Sequence, residues 1–555
     1  MVGPAGDWWL GREEITMKKT LAISSLAVIF AMTASLSGAA SRDRFSHAIV
    51  GPHGGEPSIA SALDGTLYIS YPGGGMNFYR SSDLGKTWKA GKIADVNSGD
   101  TTVNVDSSGA VYQANLNGSG GILQGDVFKS LDGGRHWTKG VTATSSPLAN
   151  VYGQSATDSP FLVDRQWTDA YIPPGKTTNQ ALVYIGYHDF GPSIIWVNVS
   201  KDGGKTFSQQ KSVISDPVAQ ANSFCNTIPG GLKVVQSGPH AGRVYIAWLA
   251  GSVATNVPTG CNVTQLDTFG QIWMAWSDDK GATWTDQLVY DAGFGHDASA
   301  IFADLALDRL GNPYVAWTMN SGSLPHTGAA GDQWNVYVSA SFDGGRTWNG
   351  KSDGTGAPIK ATSDTGTHFF PAIAVGDPGH VVVAYIVTTS VIPQLPYGKP
   401  FPGEDPNAKW FVYLSRSLDM TSAHPTWARE QLSPKAIHTG DVCTLGIFCT
   451  PGQLIKIQNR DLLDFIDVVM DPSGMVHVAY ADTETKAGSS LVATADQVSG
   501  VALLSTATKA VPKPRVLAVQ KKAALPNTGV GTSILLGVLL LGGAFFVTRS
   551  LRAAR

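Results

Sequence analysis

The chain has 555 residues, of which 43% are hydrophobic and 15% are charged, and its formal net charge is −3. This composition excludes a disordered chain and a protein that binds nucleic acid through bulk positive charge. Only six of the 43 acidic residues are glutamate, whereas glycine and other turn-forming residues are abundant, so we predict an all-β protein with many tight turns.

The N-terminal region carries a signal for export. Met17 is followed by two lysines, by an apolar run from Leu21 to Ala34 and by the small residues Ser37 to Ala40. A basic start, an apolar segment and a small-residue cleavage site are typical of a secretory signal peptide. We expect residues 1–40 to be an upstream extension and signal peptide, with translation starting at either Met1 or Met17.

Seven related units follow between residues 45 and 505. Each unit predicts two strands joined by a tight turn, because alternating apolar residues are interrupted by a polar residue and a glycine. The units begin near residues 57, 102, 160, 232, 303, 371 and 465. We predict a seven-bladed β-propeller in which Ser46 to Val50 supply the outermost strand of the last blade and close the ring. A six-bladed ring with one unit inserted is the alternative.

A second motif, Ser-x-Asp-x-Gly-x-Thr-Trp or -Phe, follows every unit except the last. In the second copy His136 replaces the threonine, and an insertion interrupts the sixth copy before Thr426. The pattern predicts a turn in which the polar side chains bond backbone N–H groups and the aromatic residue fills the space between blades. We therefore expect a structural role for the six aspartates of this motif: Asp83, Asp132, Asp202, Asp279, Asp343 and Asp419.

This motif resembles the Asp box, the bacterial neuraminidase repeat of sialidases and related β-propellers. The resemblance covers residues 45–505 and implies that these turns lie at the periphery, far from the ligand face. It also implies sialidase catalysis by three arginines, a Tyr–Glu pair and an aspartic acid. Those catalytic motifs do not carry over to this sequence. Glu56 stands in the stretch that matches the first sialidase arginine, and Arg80 and Arg416 lead into Asp boxes. In addition, sialidases of this family have six blades.

The candidate site residues precede or begin the predicted inner strands, whose N-terminal ends line the usual ligand face of a propeller. Paired carboxyl groups can hydrolyse glycosides, so the catalytic candidates are Glu56, Asp158, Asp164, Arg165, Asp304, Arg460 and Asp464. The candidates for ligand binding are His53, Asp100, Trp167, His296, Asp297, His368 and Asp461. A solvated channel mouth, with Trp167 as a plug between blades, is the alternative. We predict no cofactor, and a Ca²⁺ ion held by clustered carboxylates is the alternative.

The four cysteines agree with an exported protein. Their even number allows two disulfides in three connectivities, and proximity in the sequence favours Cys225–Cys261 and Cys443–Cys449. A metal site is the alternative for the closely spaced pair, which lacks two further ligands at a finger-like spacing.

The C-terminal region reads as a tether. Residues 506–524 contain two prolines and several lysines, which predicts a semi-extended linker. Leu-Pro-Asn-Thr-Gly at 525–529, an apolar stretch at 530–547 and three arginines follow, an arrangement that resembles the sortase sorting signal of Gram-positive surface proteins. The resemblance implies cleavage between Thr528 and Gly529 and attachment to the cell wall. An uncleaved transmembrane anchor is the alternative.

These features predict a secreted, wall-anchored, monomeric propeller that binds glycan or protein ligands at the cell surface. Its partners would be sortase, peptidoglycan and the extracellular ligand, with no nucleic acid and with membrane contact only through residues 525–555. The alternative is an exo-sialidase or another glycoside hydrolase acting on extracellular glycans. Three arginines converging at the mouth would favour a sialidase. Two carboxylates about 5–10 Å apart would favour another glycosidase, and the absence of both arrangements would favour a binding role.

Overall fold

The computed structural model describes residues 43–506 with internal gaps. The export signal, the linker, the sorting signal with Thr528 and Gly529, and the candidate Asp158 lie outside the described residues. The gaps are 74–75, 97, 119–122, 145–162, 190–193, 209–211, 224–226, 252–255, 258–259, 262–268, 294–295, 299–300, 323–332, 391–404, 445–458 and 487–488.

The described part of the chain is almost entirely β-structure. It contains one short α-helix, α1 (Pro217–Ser223), and one turn of 3-10 helix, Thr178–Gln180. In this part of the chain, no helix has the length and apolarity needed to cross a bilayer. The strands in chain order are β1 (Arg44–Pro52), β2 (Ser58–Ser61), β3 (Leu67–Pro72), β4 (Met76–Ser81), β5 (Lys89–Ala90), β6 (Ser98–Val105), β7 (Val111–Asn117), β8 (Gln124–Ser130), β9 (Val141–Thr142), β10 (Val163–Tyr171), β11 (Leu182–Asp189), β12 (Ile194–Ser200), β13 (Thr227–Val234), β14 (Val244–Ala250), β15 (Asn256–Val257), β16 (Gly260–Cys261), β17 (Gln271–Ser277), β18 (Thr285–Asp291), β19 (Asp304–Leu307), β20 (Pro313–Asn320), β21 (Trp334–Ala340), β22 (Ile359–Lys360), β23 (Thr367–Val375), β24 (Val381–Thr388), β25 (Lys409–Ser417), β26 (Ala428–Gln431), β27 (His438–Thr439), β28 (Asp467–Met470), β29 (Val476–Asp482) and β30 (Leu491–Ser499).

The strands form the seven antiparallel blades of a β-propeller. From the inner to the outer strand, blades 1 to 7 are β2-β3-β4-β5, β6-β7-β8-β9, β10-β11-β12, β13-β14-β17-β18, β19-β20-β21-β22, β23-β24-β25-β26 and β28-β29-β30-β1. Isolated bridges from β12 to Ser208 and Ser212 take the place of a fourth strand in blade 3. The prediction of seven blades is confirmed, and the six-bladed alternative is wrong.

The two ends of the propeller meet in blade 7. Strand β1 pairs antiparallel with β30 as the outermost strand, over the stretch that begins with Arg44 opposite Ser499. The inner strands contact each other in sequence around the channel, including β28 with β2, so the ring is continuous. The predicted closure by the first ordered residues is therefore confirmed.

Apolar side chains from the second and third strands of the blades form the core. Every residue of β14, β17 and β24 is buried, which explains why these segments read as nearly continuous apolar runs. Large aromatic residues fill the space between blades, as where the rings of Trp248 and Trp273 stack with centroids 6.1 Å apart. Trp348 of the fifth Asp box is fully buried in the same way.

The six Asp boxes form one recurring turn after the third strand. In the first, Ser81 Oγ donates to Asp83 Oδ1 over 2.7 Å, and Asp83 accepts the Thr87 N–H at 2.9 Å. In the second, His136 Nδ1 lies 2.6 Å from Asp132 and so takes the place of the threonine hydroxyl. The corresponding serine bonds of the other four aspartates, at 2.7 to 2.9 Å, join Ser200–Asp202, Ser277–Asp279, Ser341–Asp343 and Ser417–Asp419.

The last described residues fix the face from which the chain leaves the propeller. The Leu503 N–H donates to Gly474 O at 2.8 Å, and the Ser505 N–H donates to an oxygen of Asp377 at 2.9 Å. Gly474 and Asp377 belong to the turns between the first and second strands of blades 7 and 6. The Asp boxes share this face, because the Met420 N–H of the sixth box donates to Gly379 O at 3.1 Å.

One predicted half-cystine lies within the described residues in full. Cys443 is buried and disulfide-bonded, and no described cysteine is free. The side chains of Cys225, Cys261 and Cys449 lie outside the described residues. The two pairings expected from the sequence therefore stay predictions.

Candidate functional site

Six ionisable side chains from four consecutive blades meet at one end of the channel, where the inner strands begin. All inner strands run from this end toward the opposite face, so the residues that open them converge. Glu56 precedes β2, Asp100 lies in β6, and Arg460 and Asp464 precede β28. Asp164 and Arg165 lie at the start of β10. We call Glu56, Asp100, Asp164, Arg165, Arg460 and Asp464 the mouth cluster.

Arg460 is held mainly by Asp464. Its Nε donates to Asp464 Oδ1 at 3.2 Å and its Nη2 donates to Oδ2, which together form a bidentate pair. The same Nη2 lies 3.6 Å from Oε1 of Glu56. Burial opposes the charge of Arg460, but Asp464 and Glu56 outweigh it and raise the pKa of the guanidinium. Arg460 is therefore a fixed cation in the mouth, with a quarter of its side chain exposed.

Arg165 is held by charge and by aromatic rings. Its Nη1 lies 3.9 Å from Glu56 Oε2 and 4.0 Å from Asp100 Oδ2, distances that form ion pairs but are too long for hydrogen bonds. Its guanidinium carbon lies 3.9 Å from the ring centroid of Phe465 and 5.3 Å from that of Trp167. Only 3% of the side chain is exposed, yet Nε and Nη1 have no hydrogen-bond partner among the described residues.

Two carboxyl groups of the mouth cluster hold their protons more tightly than usual. Burial, followed by the nearby charge of Asp100, raises the pKa of both Glu56 and Asp164 well above the ordinary range. The mouth therefore contains two carboxyl groups that burial and a neighbouring carboxylate make harder to ionise.

An aromatic layer lies below the mouth cluster. It consists of Trp167, Phe302 and Phe465, with ring centroids 5.6 Å apart between Trp167 and Phe302 and 5.9 Å between Phe302 and Phe465. All three side chains are partly exposed. Trp167 contacts Arg165 and Phe302 and also packs against the apolar cluster between blades 3 and 4, so a binding role and a role as a plug between blades both stay predictions.

A second charged level lies deeper in the channel. Asp169, Asp304 and Asp467 each accept a backbone N–H from the inner strand of the next blade: those of Val234 at 2.7 Å, Ile373 at 2.9 Å and Ile59 at 2.8 Å. Asp304 thus connects blades 5 and 6. It is separate from the mouth cluster, although the sequence predicted it as a catalytic candidate together with those residues.

Lys233 faces these three aspartates from β13. Partial loss of hydration in the channel favours the neutral amine, but Asp169, Asp304 and Asp467 outweigh it and raise the pKa of Lys233. Burial, and then the charge of Asp304, raises the pKa of Asp467 to about 6. Asp169, Lys233 and Asp467 were not among the candidates predicted from the sequence. An available signal was the shared spacing Asp-x-x-x-Asp in blades 5 and 7, which places Asp304 and Asp467 four residues before a turn aspartate.

His368 lies in the wall between blades 5 and 6. Its Nδ1 is 2.7 Å from the carbonyl oxygen of Trp334, and its Nε2 is 3.1 Å from Asp364. Arg429 pairs with the same Asp364 at 2.7 Å. Both ring nitrogens of His368 are therefore used between blades, and its prediction as a mouth residue is wrong in position.

The other predicted binding residues are spread around the rim. Asp297 is buried and accepts the Phe269 N–H at 3.5 Å, whereas Asp461 is exposed and accepts a bond from Asn459 at 3.1 Å. His53 is exposed near Ser489, and His296 is partly exposed. None of these side chains forms a described bond with the mouth cluster.

The described part of the mouth contains two arginines. Among the described residues, Arg165 and Arg460 are the two arginines in the mouth cluster. No cluster of His, Cys, Asp or Glu in the described ranges is arranged to hold a metal ion. Other arginines pair with aspartates elsewhere: Arg243–Asp278, Arg309–Asp377, Arg416–Asp43 and Arg429–Asp364.

No family model matches the chain. Among solved structures, it is similar to a Penicillium chrysogenum α-L-arabinanase (TM-score 0.38, 13% identity, 62% of this chain and 94% of that one). It is also similar to a PL25 ulvan lyase (TM-score 0.44, 12% identity), with 83% of this chain and 97% of that one covered. A third similar structure is the Hadza microbial sialidase Hz136 (TM-score 0.35, 13% identity), with 79% of this chain and 74% of that one covered. At this level of similarity, function has to be argued from the site itself.

Proposed function

We propose that this protein binds an extracellular glycan in the mouth cluster. The observation that carries the proposal is the convergence of four carboxyl groups and two arginines above an aromatic layer, with Arg165 buried but incompletely hydrogen-bonded. Sugar hydroxyls both donate and accept hydrogen bonds, so they suit carboxyl oxygens and guanidinium N–H groups together. The aromatic layer would contact the apolar face of a sugar ring.

The proposed location is the outer surface of a Gram-positive cell, with the sorting signal at 525–529 joined to peptidoglycan by a sortase. The fold supports this arrangement, because residues 501–505 leave from the face opposite the mouth. From Asp464 at the mouth to Asp471 at the turn, seven residues of extended chain span about 23 Å. A tether that continues from Ser505 would leave the mouth accessible from outside.

Glycoside hydrolysis is the second candidate function. Its supporting observation is Asp164, which lies among the other carboxyl groups of the mouth and whose pKa is raised by burial and by the charge of Asp100. A general acid needs this property, and Asp464 would be the accompanying base or nucleophile. A sialidase is disfavoured, because two arginines and not three lie in the mouth cluster within the described residues.

A glycan-array screen with the protein released from cells tests the proposal. We expect a bound glycan whose affinity falls at least about tenfold in Asp100→Asn, since loss of a charged hydrogen-bond acceptor costs about 1.5–3 kcal/mol. Lys86→Ala is the matched control, because Lys86 is exposed in the first Asp box on the opposite face. Equal loss in both variants, or binding of protein ligands alone, would contradict the proposal.

The same preparation distinguishes binding from hydrolysis. Reducing-end release from the bound glycan, abolished in Asp164→Asn, would establish the second candidate. Binding without release in the unmodified protein would leave the mouth as a recognition site.

A further inference from the structure

Glu56 lies between the two arginines of the mouth cluster. Its Oε1 is 3.6 Å from Arg460 Nη2, and its Oε2 is 3.9 Å from Arg165 Nη1. Oε1 also accepts the Asp464 N–H at 3.1 Å, and only 3% of the Glu56 side chain is exposed. Each oxygen therefore faces one guanidinium, which is the arrangement that a ligand carboxylate would adopt with a pair of arginines.

The backbone holds this carboxyl group in place. Glu56 has a φ of 46°, a left-handed conformation that residues other than glycine rarely adopt outside strained or functional positions. The preceding Gly55 packs so closely on blade 7 that a Cβ there would lie 3.0 Å from the Leu462 carbonyl oxygen. Blade 1 thus inserts a fixed carboxyl group into a space bounded by residues of blades 3 and 7.

Both arginines of the mouth already have acidic neighbours without a ligand anion. Asp464 takes the bidentate positions of Arg460, and Asp100 and Glu56 are the acidic neighbours of Arg165. The cluster holds four carboxyl groups and two guanidinium groups. An additional carboxylate would have to approach these carboxyl groups without an unpaired cation to offset the repulsion.

We propose that Glu56 occupies a built-in carboxylate position between Arg165 and Arg460 and thereby makes the mouth select neutral sugars over anionic sugars. The selectivity rests on the proposed glycan-binding function, whereas the occupied carboxylate position does not. The ligand class that follows is a glycan of neutral hexoses or pentoses, with uronic and sialic acids excluded. Glu56 would be a specificity residue, because its removal exposes two guanidinium groups to one cavity.

Chemical rescue tests the carboxylate position in the full-length protein. Glu56→Gly removes the side chain and suits the positive φ, whereas Glu56→Gln keeps the shape with a neutral amide in place of the carboxyl group. We expect acetate to raise the Tm of Glu56→Gly saturably, relative to chloride at equal ionic strength, because a ligand that binds the folded state stabilises it. The glutamine variant should show no such rise, since its amide fills the cavity.

Binding measurements test the selectivity. We expect Glu56→Gly to bind D-glucuronate at least about tenfold more tightly than the unmodified protein does, with no such gain for D-glucose. The unmodified protein should show no saturable response to acetate or glucuronate. This last measurement needs no variant, so it decides the proposal even if neither substitution folds: saturable binding of either anion overturns it.

Two further results would overturn the inference. One is a folded Glu56→Gly variant whose Tm does not rise with acetate. The other is an equal rise of Tm with acetate in the unmodified protein, Glu56→Gly and Glu56→Gln. These results are distinguishable from failure of the proposed function. Acetate rescue without any glycan ligand would remove only the glycan-binding proposal. A neutral glycan that binds at the mouth without acetate rescue in Glu56→Gly would remove only the role of Glu56.

Discussion

A buried histidine beside the ring closure offers the sharpest test of the electrostatic reasoning. His477 lies in β29, with Nδ1 2.8 Å from Asp496 Oδ1 and Nε2 3.4 Å from Asp471 Oδ2. All three side chains are at most 1% exposed. Asp496 also accepts a bond from Thr494, whose hydroxyl accepts the indole N–H of Trp88 from blade 1. The triad thus joins the closing blade to its neighbour.

Replacing His477 by leucine leaves two buried carboxyl groups without their shared partner. Loss of one member of a buried ion pair costs about 3–5 kcal/mol, so we expect a decrease of this size in the free energy of unfolding. Burial lowers the pKa of His477, but its bonds to Asp471 and Asp496 outweigh burial and raise it above 6.5. The stabilisation is therefore complete below about pH 6.5 and is lost as the pH rises through the folded pKa.

Asp471 sets the acid limit of the same triad. Although burial opposes it, the His477 hydrogen bond holds the pKa of Asp471 below its ordinary value. This part of the stabilisation is present above about pH 3.9 and is lost as the pH falls. The cost of His477→Leu should consequently be greatest between these limits and decrease toward alkaline pH.

Urea unfolding of the released protein between pH 5.5 and 9 measures the effect. His136→Leu is the matched control, because His136 forms a 2.6 Å pair with Asp132 in the second Asp box but is 81% exposed. An exposed pair of this kind is worth about 0–1 kcal/mol. Equal costs for the two substitutions, or a cost of His477→Leu that does not change with pH, would refute the reasoning.

Two other predictions follow from the channel and from the tether. Lys233→Met should lower the free energy of unfolding by about 1 kcal/mol at pH 8, where Asp467 is ionised and channel water screens the charges, and by less at pH 5. Lys233→Arg is the control in urea unfolding, and a loss that is equal at both pH values would contradict this account. On intact cells, a bulky maleimide should label Asp461→Cys on the mouth side faster than Leu131→Cys in the second Asp box. Both should react equally in the released protein, and equal rates on cells would contradict the proposed orientation.

The blade architecture was predictable because its information is local. Each blade repeats strand, turn and strand within a short segment, and the Asp box adds a turn whose bonds lie within seven residues even in the sixth copy, where Thr426 reaches Asp419. Ring closure was also predictable, since the last unit lacked an outer strand and the first ordered residues offered one. These features depend on alternation and turn chemistry, which a single sequence displays directly.

The mouth cluster was predictable as a set of residues but not as a set of contacts. Glu56, Arg165 and Arg460 were candidates because they precede or open inner strands. Nothing in their spacing showed that Glu56 would lie between the two arginines, because they belong to three blades separated by more than a hundred residues. The same limit hid the role of Asp467, which bonds Ile59 at the far end of the chain.

Register shifts explain which side chains reach the channel. Simple alternation places residues three apart on opposite faces of a strand, yet Asp164 and Trp167 are both partly exposed, and Trp167 contacts Arg165 of the mouth cluster. The pairing of β10 with β11 has a register shift between Val163 and Gln166, and the extra residue brings both side chains to one side.

Three more inner strands carry such shifts near their starts. In β13 the shift lies between Pro229 and Leu232, next to Gly231 with a φ of 84°, and Lys233 follows on the channel side. In β6 it lies between Ser98 and Thr101, around Asp100. In β23 it separates Phe369 from Ala372, and His368 lies before it, directed into the wall. A shift near the start of a strand changes the face on which the neighbouring side chains lie, and the alternation of the sequence does not reveal it.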